Sequence, residues 1–300
     1  MVSEWNYTIE LPPIPTPRPN FKKEGTQSVT YYSEEYQKYL ENVSNVLIND
    51  KALNDNFFEV MASKMGVKAE VIFYVQAPKS QKSITNIMRT TAPDIDNLIK
   101  ASLDSVFNGL KTKDSRIVMI SSAKFQELEN PRTEIRFKGI GMDDESLLEE
   151  FAEEEVNHNK EWRFVINQPP MATPRPDFTV TKDGRTITYY PDKYKKYMQN
   201  VQEQLTKEML LNDKFFEVMA SKMGVKAELI YYVQAPKSQK KLKNIMRTTA
   251  PDIDNLIKAT LDSVFKGLKI KDSRIVMINA VKFQELENPR TEIILKGVGE

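Results

Sequence analysis

Cysteine is absent from the 300 residues, which excludes disulfides, thiolate metal ligands and cysteine nucleophiles together. Histidine is nearly absent as well. His158 is the only one and lies between two halves of the chain, so neither half can hold a Ser-His-Asp triad or an imidazole metal site of its own. No apolar run approaches the ~18 residues of a membrane span, and the stretch from Met1 to Trp5 has neither the basic nor the apolar region of a signal peptide. A soluble, cytoplasmic protein is the expectation. Any chemistry has to come from carboxylates, lysines, arginines and hydroxyls. Net charge is scant too, at +1, but it is unevenly spread. Eight of the 42 acids fall between Met142 and Val156 with no base among them, which leaves 43 Lys and Arg against 34 acids elsewhere. A basic remainder of that size favours polyanionic partners.

What the chain does contain, it contains twice. Ala92-Pro93-Asp94-Ile95-Asp96-Asn97-Leu98-Ile99-Lys100 is followed by Leu103-Asp104-Ser105 and Lys113-Asp114-Ser115-Arg116. The same pattern returns 158 residues later as Ala250-Pro251-Asp252-Ile253-Asp254-Asn255-Leu256-Ile257-Lys258, with Leu261-Asp262-Ser263 and Lys271-Asp272-Ser273-Arg274. The division that follows is a first repeat over 1–141, an acidic linker over 142–160 and a second repeat over 161–300. Each repeat is long enough to bury a core.

Each repeat opens with a short alternating run, Trp5–Leu11 or Trp162–Ile166, that reads as a strand. A proline-rich stretch stops it and presents Arg18 or Arg175 on a stiff loop. The next segment carries Lys22 and Lys23, or Lys182 and Arg185, and differs in length by one residue between repeats, which predicts an exposed loop. Apolar spacing predicts helices from Ser33 to Leu47 and from Pro191 to Leu205, with their tyrosines on the buried face. A short helix is expected over Asn56–Met65, ended by Gly66, and then an interior strand over Val67–Val75. A basic loop holds Lys79, Lys82 and Arg89 in one copy and Lys237, Lys240, Lys241, Lys243 and Arg247 in the other. Beyond it a helix runs to about Phe107. Arg116–Ile120 and Thr133–Phe137 read as an antiparallel pair of strands. The fold class is α/β (α+β), with a mixed or mainly antiparallel sheet in each repeat. Leu147, Leu148 and Phe151 give the acidic linker a narrow apolar face and predict a helix there.

Asp94 and Asp96 stand just before a helix, where one acid can cap it and another can favour its dipole. Capping leaves Asp114 unexplained. Three converging carboxylates repel one another unless a cation lies between them, and an all-oxygen donor set suits Mg²⁺ or Mn²⁺. Asp104 lies one turn past Lys100 and is expected to pair with it or to face solvent.

The Asp-Ile-Asp-Asn-Leu-Ile-Lys pattern, the Asp eight residues after its second Asp and the Lys-Asp-Ser-Arg-Ile segment resemble the signature of the RusA family of Holliday-junction resolvases, a family with many phage and prophage members. The Thr-Pro-Arg-Pro loop and the paired tyrosines are similar to its phage members. The resemblance covers roughly residues 4–140 and 161–299. It implies a Mg²⁺-dependent endodeoxyribonuclease that cuts paired strands of branched DNA as a dimer, in recombination, repair or phage DNA processing. By the same resemblance the metal and catalytic acids are Asp94, Asp96 and Asp114 in one repeat and Asp252, Asp254 and Asp272 in the other, and Lys100 and Lys258 match a functionally required lysine. Relatives carry one copy and dimerise, so the two repeats are expected to pair within the chain. The Arg and Lys residues of the two basic loops are then DNA contacts, made through phosphates. Two alternatives remain: a branched-DNA-binding protein without cleavage, and an Asp-x-Asp site for a nucleotide sugar, which lacks the expected Gly-rich turn.

Overall fold

The computed structural model describes residues 3–24, 27–141, 161–181, 183, 185–239, 241, 242 and 245–299. In the first repeat the order is β1 (Glu4–Ile9), β2 (Asn20–Glu24), β3 (Gln27–Tyr31), α1 (Glu34–Asn49), α2 (Asp55–Met61), β4 (Val67–Gln76), α3 (Ile95–Val106), β5 (Ile117–Glu127) and β6 (Arg132–Gly139). The second repeat follows the same plan, with β7 (Glu161–Ile166), β8 (Asp177–Val180), β9 (Thr186–Tyr189), α4 (Asp192–Lys207), α5 (Asp213–Met219), β10 (Val225–Gln234), α6 (Ile253–Val264), β11 (Ile275–Glu285) and β12 (Arg290–Gly297). The fold is mixed α and β around a sheet. None of the described helices is long and apolar enough to cross a membrane. The acidic segment 142–160, with its expected linker helix, lies outside the described residues.

Helix α1 begins where Ser33 accepts a hydrogen bond from the Tyr36 amide, and it buries Tyr36, Tyr39, Val43 and Leu47 along one stripe. Helix α2 ends at Met61, four residues before the Met65 that spacing predicts. The chain then turns through Gly66 (φ +102°), where a Cβ would meet the Val118 methyls at 2.8–2.9 Å. Strand β4 does lie inside the sheet, as its density of apolar residues predicts, and buries Val67, Ala69, Val71, Phe73 and Val75. The Lys22 segment forms a hairpin, β2 with β3, where a plain loop was expected; β8 and β9 repeat it. Phe21 and Phe178 bring the two hairpins together, with ring centroids 4.8 Å apart.

Strand order is β1-β6-β4-β5-β11-β10-β12-β7. The expected antiparallel pairing of β5 with β6 is corrected here: β4 lies between them, antiparallel to β6 and parallel to β5. A parallel neighbour has to be reached by a crossover, and α3 is that crossover. At the centre β5 and β11 run antiparallel with Ser121 opposite Asn279. These two residues are 158 apart, so each is the other's counterpart and a pseudo-twofold axis passes between them. The eight strands therefore form one sheet, and the main core runs through both repeats.

Candidate metal centres

The crossover decides which acids meet. Helix α3 returns from the end of β4 to the start of β5, and its 12 residues span about 18 Å. Asp94 and Asp96 stand at one end of it and Asp114, in a short turn before β5, at the other. Within a repeat the three cannot gather. The antiparallel join of β5 to β11 supplies the missing member, because Met119 near the start of β5 pairs with Val281 in the later half of β11. Oxygens of Asp114, Asp252 and Asp254 consequently lie within 4.8 Å of one another. This corrects the within-repeat grouping: each acid pair takes its third carboxylate from the other repeat. Asp272 is matched in the same way to Asp94 and Asp96, whose charges act on it.

The lysines cross too. Lys100 Nζ lies 3.2 Å from Asp254 and 3.5 Å from Asp104, and Lys258 Nζ lies 3.2 Å from Asp96 and 3.6 Å from Asp262. Asp104 thus pairs with Lys100 as its spacing predicts, and Lys100 also reaches Asp254 of the other repeat. Tyr36, read as a core residue, is buried but also donates to Asp104 at 3.3 Å and contacts Thr16 at 3.0 Å.

Burial raises the Asp114 carboxyl to about 6, helped by the charges of Asp252, Asp254 and Asp104 and opposed by Lys100. Asp272 is raised to about 6 in the same manner, by burial and then by Asp94, Asp96 and Asp262. Asp94, Asp104, Asp252 and Asp262 are also raised, burial being the first cause in each. Burial works to lower Lys100, but Asp254 and Asp104 outweigh it and hold the ammonium charged. Two carboxylates 4.8 Å apart at an effective dielectric near 20 repel by about 3–4 kcal/mol. In one centre the charge of Lys100 acts on Asp104, Asp114 and Asp252, and that of Lys282 on Asp252.

The donor set fits a divalent cation. Asp94 and Asp252 occupy N-cap positions but their side chains make no capping hydrogen bond. Asp96 and Asp254 are 2 % exposed, and Oδ1 of each has no hydrogen-bond partner, a state that costs about 1–3 kcal/mol or more if nothing binds there. Asp114, Asp252 and Asp254 would hold the ion in one centre and Asp94, Asp96 and Asp272 in the other.

The basic side chains singled out from the sequence differ in their surroundings. Arg18, Arg175, Lys79, Lys82, Lys237 and Lys241 are exposed. Lys22 lies over the Tyr31 ring, and exposed Arg185 pairs with Asp183. Arg89 and Arg247 turn inward, donating to the carbonyls of Ala92 and Ala250 at 2.9 and 3.0 Å, and so brace the acid-bearing loops. Arg116 and Arg274 point away from the acids, to the carbonyls of Met61 and Ser63 and of Met219 and Ser221. Lys182, Lys240, Lys243 and the side chain of Lys23 lie outside the described residues. Sequence reasoning passed over Lys124 and Lys282, which lie behind the two centres. The available signal was a lysine between apolar neighbours, Ala123 and Phe125 in one repeat and Val281 and Phe283 in the other.

A family model described as Endodeoxyribonuclease RusA matches residues 10–138 and 167–296. No curated protein matches the chain.

Proposed function

Because the chain belongs to the RusA endodeoxyribonuclease family, we propose that it is a metal-dependent nuclease that resolves four-way DNA junctions, with two composite sites in one polypeptide each cutting one strand. The observation that carries this reading is the meeting of Asp114 with Asp252 and Asp254 beside Lys100. A divalent cation, Mg²⁺ or Mn²⁺, bound there would activate a water and offset charge on the scissile phosphate. The acids fix the geometry around that ion. Lys100 and Lys258, held charged by the carboxylates they touch, are placed to neutralise charge that develops on the phosphate. Exposed Arg18, Arg175, Lys79, Lys82, Lys237 and Lys241 supply phosphate contacts that carry no sequence information. Two sites related by a pseudo-twofold axis match the paired strands of a junction, and pairing the repeats inside one chain removes the concentration dependence of a dimer.

Cleavage of a labelled four-way junction in Mg²⁺ tests this. Wild type is expected to cut two opposed strands, Asp96→Asn and Asp254→Asn to nick one each, and the double variant to do neither. A junction bound but left intact by wild type would instead make the chain a branched-DNA-binding protein.

A further inference from the structure

Lys124 and Lys282 are wholly buried, at 0 % exposure, and a lysine so placed has to find partners for all three of its N–H groups. Each does. Lys282 donates to the carbonyls of Thr249 (3.3 Å) and Pro251 (2.9 Å), in the loop leading to Asp252, and to that of Ser115 (2.9 Å), the residue after Asp114. Lys124 donates in the same pattern to Thr91 (3.2 Å), Pro93 (2.8 Å) and Ser273 (2.8 Å). The two acids next to the Lys282 acceptors belong to one centre but to different repeats, and those next to the Lys124 acceptors belong to the other.

We propose that Lys282 and Lys124 are positioning residues, each of which clamps the two halves of one composite centre at the spacing its cation requires. Packing alone would not call for an ammonium, because an apolar side chain of similar length fills the same space. What the ammonium adds is a three-way tie between the loop that carries one acid pair and the turn that carries the third acid. With all three N–H groups taken by carbonyls, neither lysine has a donor left for DNA. The clamp also divides the labour between repeats, since Lys282 rises from β11 and Lys124 from β5 and each serves a single centre.

The proposal rests on the metal-dependent reading above, so its test is ion binding and not cleavage. Mn²⁺ titration followed by electron paramagnetic resonance in the Asp96→Asn background reports the Asp114, Asp252 and Asp254 centre. The Asp254→Asn background reports the other. Adding Lys282→Met is expected to weaken Mn²⁺ binding roughly 10–100-fold in the first background, the range seen when groups that orient metal ligands are removed, and to leave the second unchanged. Equal weakening in both backgrounds, or in neither, would overturn the clamp. Should Lys282→Met fail to fold, Lys282→Gln, which keeps an N–H donor, takes its place. Failure of both variants to fold would make the lysine a general requirement of the fold and overturn the proposal. If wild type and both single-acid backgrounds bind no Mn²⁺, the metal reading itself falls, and the clamp with it.

Discussion

Phe73 and Tyr231 occupy the same place in β4 and β10, 158 residues apart and fully buried, yet one carries a hydroxyl and the other does not. The second repeat accommodates it with a coupled change: Thr260 stands where the first repeat has Ser102, and its Oγ1 lies 3.3 Å from the Tyr231 hydroxyl. Around the centres no such drift has occurred. Asp94, Asp96, Lys100, Asp104, Asp114 and Lys124 each recur in the second repeat with the same side chain. A core tolerates exchange if volume and hydrogen bonding are kept. A cluster of acids and lysines whose charges must balance has no equivalent exchange to make.

The largest expected effect turns on which repeat supplies the third acid. With composite centres, Asp114→Asn combined with Asp254→Asn disables one centre twice and should still nick one strand, whereas Asp114→Asn with Asp96→Asn should lose both cuts, each by at least roughly 10²-fold. Centres confined to single repeats predict the reverse, so gel analysis of junction products from the two double variants decides between them.

A smaller effect concerns stability without metal. Asp114 and Asp272 titrate at about 6 in the folded protein, against an ordinary 3.8. Between those values the folded state binds more protons than the unfolded chain, so the contribution of these groups falls as pH rises through the window and stays low above it. Metal-free Asp114→Asn should therefore be more stable than wild type at pH 7.5, on the order of 1–2 kcal/mol after allowing for partial exposure. The difference should vanish below about pH 4. Calorimetry in EDTA across that range checks it, and a less stable variant at pH 7.5 would show that burial and repulsion among the acids do not raise the carboxyl.

Converting one core towards the other should cost less. Tyr231→Phe removes one hydrogen bond and strands nothing, because Thr260 also donates to Leu256 O at 2.9 Å. About 1 kcal/mol is expected from urea denaturation. Smallest of all is the helix start, where Ser33 caps α1 but Pro191 gives α4 no side-chain cap. Pro191→Ser should stabilise by less than about 1 kcal/mol, the gain of a cap being offset by a freer unfolded chain. A melting temperature below that of wild type would mean the proline's rigidity outweighs the cap.

Much of this was legible from residue order. The helix that runs to about Phe107, the serine before Glu34 and the apolar density of Val67–Val75 are local signals, and the structure follows them. The hairpin of β2 and β3 was harder to see because its strands are short and bury little. Placing β6 beside β4 instead of β5 is a choice among distant partners that no local pattern records. The acids themselves were evident, but their grouping was not, since it depends on β5 meeting β11. One clue was present: a helix of three turns between Asp96 and Asp114 carries the two acids apart.

The pseudo-twofold join also bears on how such a chain can change. A duplicated segment is ordinarily free to decay in one copy while the other keeps the activity. Here a lesion in either copy falls on a centre that the other copy helps to build. Neither repeat by itself encodes one complete set of three acids at a single place, so a deletion that restored the single-copy length would leave a chain obliged to find a second molecule of itself.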